Sequence, residues 1–277
     1  MNSKIEHSIT RIQELQLAFS QSLTLRIDEL QHTAKKLNNQ YKPCDSNNAI
    51  PLQNLYDLAH KLAGSAGTFQ FTEVSNSAKK LELFCHSLLN LNNGIAENWF
   101  VQIQQLQDEI RLASIYKSHT LTPISNIPNS SPYKDPFRSR QNKIILVDDD
   151  ELVSLLIQEQ ANHFGYQISC INDPDKLSDF LNTNSPEVIL MDIVFPNHAY
   201  NGIDLVNQLK AENKIQCPVI FLSNREDFDA RLEAVRTGGN GYIVKPINIL
   251  ELIETLDRHT KKTSINSHRA LIIDDDP

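Results

Sequence analysis

Long apolar runs are missing from this sequence. No uninterrupted stretch approaches the roughly 18 residues that a bilayer-spanning helix needs, and the polar start MNSKIEHSIT lacks the apolar centre of a signal peptide. A cytoplasmic location with no membrane partner is the expectation. Paired cysteine spacings are missing too: Cys44, Cys85, Cys170 and Cys217 stand far apart, which argues against a zinc site or a disulfide framework and for idle thiols in a reducing compartment. Positive charge is in deficit. A formal net charge of -8 leaves no large basic surface for phosphate backbones, so nucleic acid is not expected as a direct partner. What remains is an ordinary globular composition, 40% hydrophobic and 22% charged, in a chain of 277 residues that is long enough for about two domains.

Those two domains differ in texture. Over Ile5–Leu37, Leu52–Phe69, Thr72–Leu91 and Ile95–Tyr116 apolar residues recur at helical spacing, which predicts an all-α four-helix bundle over residues 1–116. Between Lys117 and Asn142 the pattern stops. Pro123, Pro128, Pro132 and Pro136 lie there among Ser and Asn, as suits an extended linker with a typical reach of roughly 25 to 30 Å. From 143 to 262 short apolar runs (KIILV, YQISC, EVILM, PVIFL, GYIV) alternate with helical periods, the fourth over Glu226–Arg236. Alternation of this kind predicts a doubly wound five-stranded parallel sheet in an α/β domain, with functional residues at the carboxyl ends of the strands. The tail RALIIDDDP repeats the texture of KIILVDDDE, so residues 263–277 read as a linker and the first strand of a second domain of the same type.

His60 stands out in the second helix. With His60 at zero on a helical wheel, Leu55, Leu58, Leu62, Ala66 and Phe69 fall between roughly 160° and 240°, while Gly64 and Gly67 lie within about 40° of it. The imidazole is therefore expected to point outward over a bare strip of helix. Each glycine inside a helix costs about 1 kcal/mol against alanine, so two beside one imidazole suggest that a protein docks there. The segment Ala59-His60-Lys61-Leu62-Ala63-Gly64-Ser65-Ala66-Gly67 resembles the phosphorylation motif of histidine-phosphotransfer (HPt) domains. The resemblance implies that His60 carries a phosphoryl group and passes it to a receiver aspartate, with Gly64 and Gly67 as the docking strip. Two departures are Ala63, where the family often has lysine, and Gln70, where it often has glycine. No glycine-rich phosphate loop or nucleotide-binding unit precedes the linker, so the phosphoryl donor must be external.

In the second domain Asp148 and Asp149 follow the first strand and Asp192 follows the third, which brings three carboxylates to one sheet edge. Such a cluster repels itself unless a cation neutralises it, and Mg²⁺ with hard oxygen ligands is the natural solution. Ser223 ends the fourth strand and Lys245 the fifth. These residues, with Pro196, Gly202 and the run Gly241-Tyr242-Ile243-Val244-Lys245-Pro246, resemble response-regulator receiver domains of flavodoxin-like fold. By that resemblance Asp192 is the phosphoryl acceptor. Asp149 and Asp192 are side-chain metal ligands, Asp148 acts through water, and Val194 lends its backbone carbonyl. Lys245 and Ser223 meet the phosphoryl oxygens, Tyr242 is a switch residue, and the Lys245-Pro246 peptide is cis. Asn197 to Asn201 make the loop above Asp192 longer than is usual in the family, and Asn224 stands where a smaller residue is common.

The combined expectation is a two-component phosphorelay protein without a kinase domain, served by a sensor histidine kinase or a hybrid-kinase receiver. Intramolecular contact between the two domains is also open. The alternatives are a non-catalytic interaction scaffold and the regulatory N-terminal part of a diguanylate cyclase. A phosphatase of the haloacid-dehalogenase type ranks lower, because it calls for an acid where Val194 stands.

Overall fold

Helical periodicity in the first third of the chain is realised as four helices. The computed structural model describes residues 2–39, 46–90, 98–117, 143–196, 198–224, 232 and 236–260. Helix α1 spans Asn2–Ala34, α2 Ser46–Thr68, α3 Thr72–Asn90 and α4 Trp99–Lys117. In α1 the buried residues Ile12, Leu15, Phe19, Leu23, Ile27, Leu30 and Ala34 recur three or four apart, giving one apolar stripe. Helix α2 packs on α3, α3 on α4, and α1 closes the bundle against α2 and α4. At one end Phe19 stacks on Phe69 with ring centroids 4.4 Å apart.

Several boundaries differ from expectation, α1 running Asn2–Ala34 in place of Ile5–Leu37. Helix α2 begins at Ser46, not Leu52, and carries Pro51 inside it. The early start is held by Asn48, fully buried, whose amide both donates to the Asn38 carbonyl and accepts from the Asn38 N–H at 2.9 Å. Near a helix start a proline removes only one backbone bond, and this two-bond clamp offsets it. Helix α4 begins at Trp99; the expected start at Ile95 lies outside the described residues, as do the expected linker over 118–142 and the tail over 263–277. Beyond α2, Gln70 adopts φ 65°, and the next N–H, that of Phe71, donates back to the Ala66 carbonyl at 2.7 Å. This left-handed turn is the position where related sequences were expected to carry glycine.

The α/β unit runs β1 Ile144–Val147, α5 Glu151–His163, β2 Ile168–Ile171, α6 Lys176–Thr183, β3 Val188–Asp192, α7 Gly202–Ala211, β4 Val219–Ser223, β5 Gly241–Val244 and α8 Ile249–His259. The helix expected over 226–236 lies mostly outside the described residues. All strands are parallel, in the order β2-β1-β3-β4-β5. Alternate strand residues separate cleanly: Ile144, Leu146, Val188, Leu190, Ile220 and Leu222 pack with α5 and α8, while Ile145, Val147, Ile189, Met191 and Phe221 pack with α7 and Leu177 of α6. The five-stranded parallel sheet covered on both faces is the fold expected from the sequence. Its chain order reverses between β1 and β3, and ligands of such sheets bind outside the carboxyl ends at that point.

The buried cluster on the α5–α8 side is continuous with the core of the bundle, and α1 packs against α5. Among the described residues no helix is long and apolar enough to cross a membrane.

Candidate functional site

The strand ends assemble an acidic cluster around one ammonium. Asp148 is fully buried, Asp192 is 2% exposed, and one carboxylate oxygen from each of Asp148, Asp149 and Asp192 lies within 4.8 Å of the others. Lys245 Nζ stands 2.9 Å from Asp148 Oδ2 and 3.0 Å from Asp192 Oδ2. The remaining oxygens of these two carboxylates accept from backbone: Asp148 Oδ1 from the Asp150 N–H at 2.9 Å and Asp192 Oδ1 from the Ile193 N–H at 2.8 Å. Burial pushes the Asp148 carboxyl up, with Lys245 opposing and Asp192 adding to the rise. For Lys245 burial works against the charge, but Asp148 and Asp192 outweigh it and hold the ammonium protonated far into the alkaline range. The Lys245-Pro246 peptide is cis.

Ser223 is fully buried at the end of β4, and Tyr242, opposite Phe221 in the ladder, packs at the edge of the α6–α7 core. Val194, two residues past the end of β3, is partly buried and packs against the apolar cluster on the α6–α7 side. Gly202 allows a close approach: its N–H donates to the Ile193 carbonyl at 2.8 Å, and a Cβ there would fall on the Asp192 carbonyl oxygen. The long loop ahead of it is anchored. Asn201 caps α7 by accepting from Ile203 and Asp204 N–H groups at 2.8 and 2.9 Å, and the Tyr200 hydroxyl donates to Asp175.

His60 does not stand free. It is 2% exposed, with Nδ1 2.8 Å from Glu82 Oε1 on α3, while Nε2 is buried and meets no partner among the described residues. The outward face read from the helical wheel is covered, and the cover is the α/β unit. Asn224, next to Ser223, donates through Nδ2 to the His60 carbonyl. A Cβ on Gly64 would lie 2.8 Å from Asn224 Nδ2 and 3.0 Å from its Cγ; one on Gly67 would lie 3.2 Å from Pro246 Cβ. Lys61 forms an ion pair with Asp149, and Arg26 of α1 grips Asp150 through two bonds of 2.6 and 3.0 Å. Burial raises the Asp149 carboxyl, with Lys61 opposing. At Asp150 burial acts in the same direction, but Arg26 outweighs it and the carboxyl is lowered. A cavity of about 370 Å³ remains at this junction, lined by Arg26, Leu58, Lys61, Asp149, Asp150 and Pro196 among others.

Sequence reasoning did not find Arg26, Glu82, Asp150 or the reach of Lys61. Glu82 left one signal: it is a carboxylate beside the otherwise apolar stripe Val74, Ala78, Leu81, Cys85 and Leu88 of α3. The other three pair across the two units, and no local pattern reports that. Of the described cysteines, Cys85 is buried and Cys170 and Cys217 are half-buried. Burial pushes the Cys85 thiol well above its ordinary range and the Cys170 thiol up to about 11, which suits inert side chains.

A buried helix-borne histidine, whose backbone carbonyl and neighbour Lys61 contact the α/β unit beside a carboxylate–lysine cluster, is the arrangement that family comparison resolves. Residues 7–114 match the Hpt domain, and residues 144–257 match the response regulator receiver domain. The chain carries an Hpt domain followed by a receiver domain. Such a pairing belongs to two-component phosphorelay signalling, and neither domain is a kinase. Among curated proteins the receiver is similar to the transcriptional regulatory protein CrdR of Helicobacter pylori, 29% identical over 118 residues that make up 43% of this chain and 54% of that protein. It is also similar to the transcriptional regulatory protein SpaR of Bacillus subtilis, 26% identical over 133 residues, 46% of this chain and 56% of that one. The chain thus spans about half the length of the curated relatives it matches. Among solved structures, the Francisella response regulator 1452 receiver domain is 29% identical, covering 44% of this chain and 99% of that one with a TM-score of 0.41.

Proposed function

We propose that the chain passes a phosphoryl group between His60 of its Hpt domain and Asp192 of its own receiver. The observation that carries this reading is the contact of the two sites. The residue after His60, Lys61, pairs with Asp149 of the acidic cluster, and the residue after Ser223, Asn224, bonds to the His60 carbonyl. A sensor histidine kinase or a hybrid-kinase receiver is the external donor.

In the forward step an Asp192 carboxylate oxygen attacks phosphorus as the bond from the phosphoryl group to the His60 ring nitrogen breaks. The nitrogen keeps the electron pair, and Asp192 becomes an acyl phosphate. Glu82 takes Nδ1, which leaves Nε2 as the nitrogen that carries the phosphoryl group. Lys245 and Ser223 receive the charge on the phosphoryl oxygens, and Tyr242 responds to the movement of Ser223 as the switch. Gly64 and Gly67 give the receiver room to approach. Catalysis of this kind is mainly positioning and charge neutralisation.

The donor set also suits Mg²⁺. Three carboxylates within reach of one point are hard oxygen ligands, and Asp149 Oδ1 is buried with no partner among the described residues although Lys61 holds the other oxygen. Asp149 and Asp192 would hold the ion, with Asp148 through water and the Val194 carbonyl. When bound it supplies neutralisation of the transferring oxygens. A small phosphodonor such as acetyl phosphate with Mg²⁺ is expected to label the receiver, and Asp192→Asn to abolish the label, because an amide is no nucleophile. His60→Gln should block acceptance from a phosphorylated donor receiver and leave small-molecule labelling intact. Undiminished label in Asp192→Asn would remove Asp192 from its role.

A further inference from the structure

The junction of the two domains holds one side chain whose size and polarity match the gap it enters. Asn224 is 5% exposed, so it has no solvent to turn into. Its Nδ2 donates to the carbonyl of His60, and that carbonyl lies one helical turn before Gly64. At Gly64 the missing Cβ is the space that Asn224 occupies: a methyl group there would overlap Oδ1 and Nδ2 of the amide and press tightly on Cγ. Asn224 Oδ1 is buried with no partner among the described residues. At Gly67 a Cβ would lie 3.2 Å from Pro246 Cβ and 3.1 Å from Ser75 Oγ, tight approaches that a shift of a few tenths of an ångström would relieve. The strip therefore does not act uniformly: one glycine is read by a polar side chain, the other only by shape.

We propose that Asn224 is the residue by which this receiver selects its own Hpt helix, reading the pair made by the His60 carbonyl and the bare Cα of Gly64. The proposal rests on the cis-transfer reading above. A receiver with a small residue at this position would dock without the added bond and would tolerate a side chain at position 64. This receiver accepts only a helix with glycine there. Because the bond goes to the backbone of the phosphorylated residue itself, Asn224 also fixes how His60 is presented, and so it is a positioning residue.

The test uses the full chain in four forms: wild type, Gly64→Ala, Asn224→Ala and the double variant. Alanine is the better helix former, so Gly64→Ala leaves the bundle folded, which circular dichroism checks. Two quantities are read: the radius of gyration by small-angle X-ray scattering, and the single-turnover rate at which phosphoryl leaves His60 for Asp192. Labelling of Asp192 by acetyl phosphate is followed in parallel to show that the receiver pocket is intact. In Gly64→Ala the molecule is expected to expand and the transfer rate to fall by at least about tenfold, the factor that about 1.4 kcal/mol confers. In the double variant the overlap is gone, so compactness returns and the rate rises to that of Asn224→Ala, which stays below wild type because the bond to the His60 carbonyl is missing. Equal rates for Gly64→Ala and wild type, or a double variant no faster than Gly64→Ala alone, would overturn the selection by Asn224 while leaving cis transfer standing. A wild type already expanded and unable to transfer at all would overturn the cis reading, and this inference with it.

Discussion

Glu82 holds one ring nitrogen of His60 and the other has no partner among the described residues, and the two residues are almost fully buried together, at 2% and 4% exposure. A carboxylate that accepts from one imidazole nitrogen fixes the tautomer and the ring orientation, leaving the lone pair on the far nitrogen. Replacing Glu82 by leucine removes that partner at nearly constant volume. Transfer through His60 is expected to fall about tenfold or more, while acetyl phosphate labelling of Asp192 stays unchanged. Stability should fall by about 1 to 3 kcal/mol, because the buried His60 Nδ1 loses its partner. A measured loss of transfer that only matches a loss of folded protein would make Glu82 a structural residue instead. Lys61 works at the same scale. Its ion pair with Asp149 puts a cation at the acidic cluster, in a motif where Ala63 stands at the position that related sequences often fill with lysine.

At the scale of elements, two features show where tertiary structure overrides local preference. Gln70 closes α2 in the left-handed region at φ 65°, a conformation that costs a residue with a Cβ about 1 kcal/mol relative to glycine. Gln70→Gly is therefore expected to raise the stability of the bundle by roughly 0.5 to 1 kcal/mol, seen as a higher denaturant midpoint with an unchanged slope. The second feature is α1 against α5. Asp150 caps α5 by accepting from the Val153 N–H and is gripped by Arg26 of α1, with its side chain only 5% exposed. Leaving such a carboxylate buried without its guanidinium costs about 3 to 5 kcal/mol, more than an interdomain contact can hold against solvent access. Arg26→Ala should thus separate the domains rather than unfold either one. Scattering would show a larger radius of gyration, with helical content and receiver labelling preserved. An unchanged radius would mean that the apolar contact between α1 and α5 suffices alone.

At the scale of the whole molecule, the two fold types were legible in the sequence because each rests on a local period. Apolar residues three or four apart in α1 and α3, and short apolar runs ending in Asp148, Asp192, Ser223 and Lys245, mark the bundle and the sheet edge without any knowledge of packing. The outward exposure of His60 was not realised, since a helical wheel places a residue relative to its own bundle and says nothing of a second domain that covers the same face. Arg26, Lys61, Asp149 and Asp150 belong to that hidden level: their pairing depends on the flanks of α1 and α2 meeting the start of α5 across the chain. This arrangement also makes a statement about concentration. A tethered partner meets its target at an effective concentration in the millimolar range for short flexible connections, far above that of free relay proteins in dilute solution.

The direct test is therefore a dilution series. Phosphoryl transfer from His60 to Asp192 is timed in prephosphorylated wild type, and in a mixture of prephosphorylated Asp192→Asn chain with unphosphorylated His60→Gln chain. Transfer within one chain predicts a wild-type rate that does not change with concentration and a mixed rate that falls in proportion to it. A wild-type rate that falls in step with the mixture would contradict cis transfer and assign each domain a separate partner.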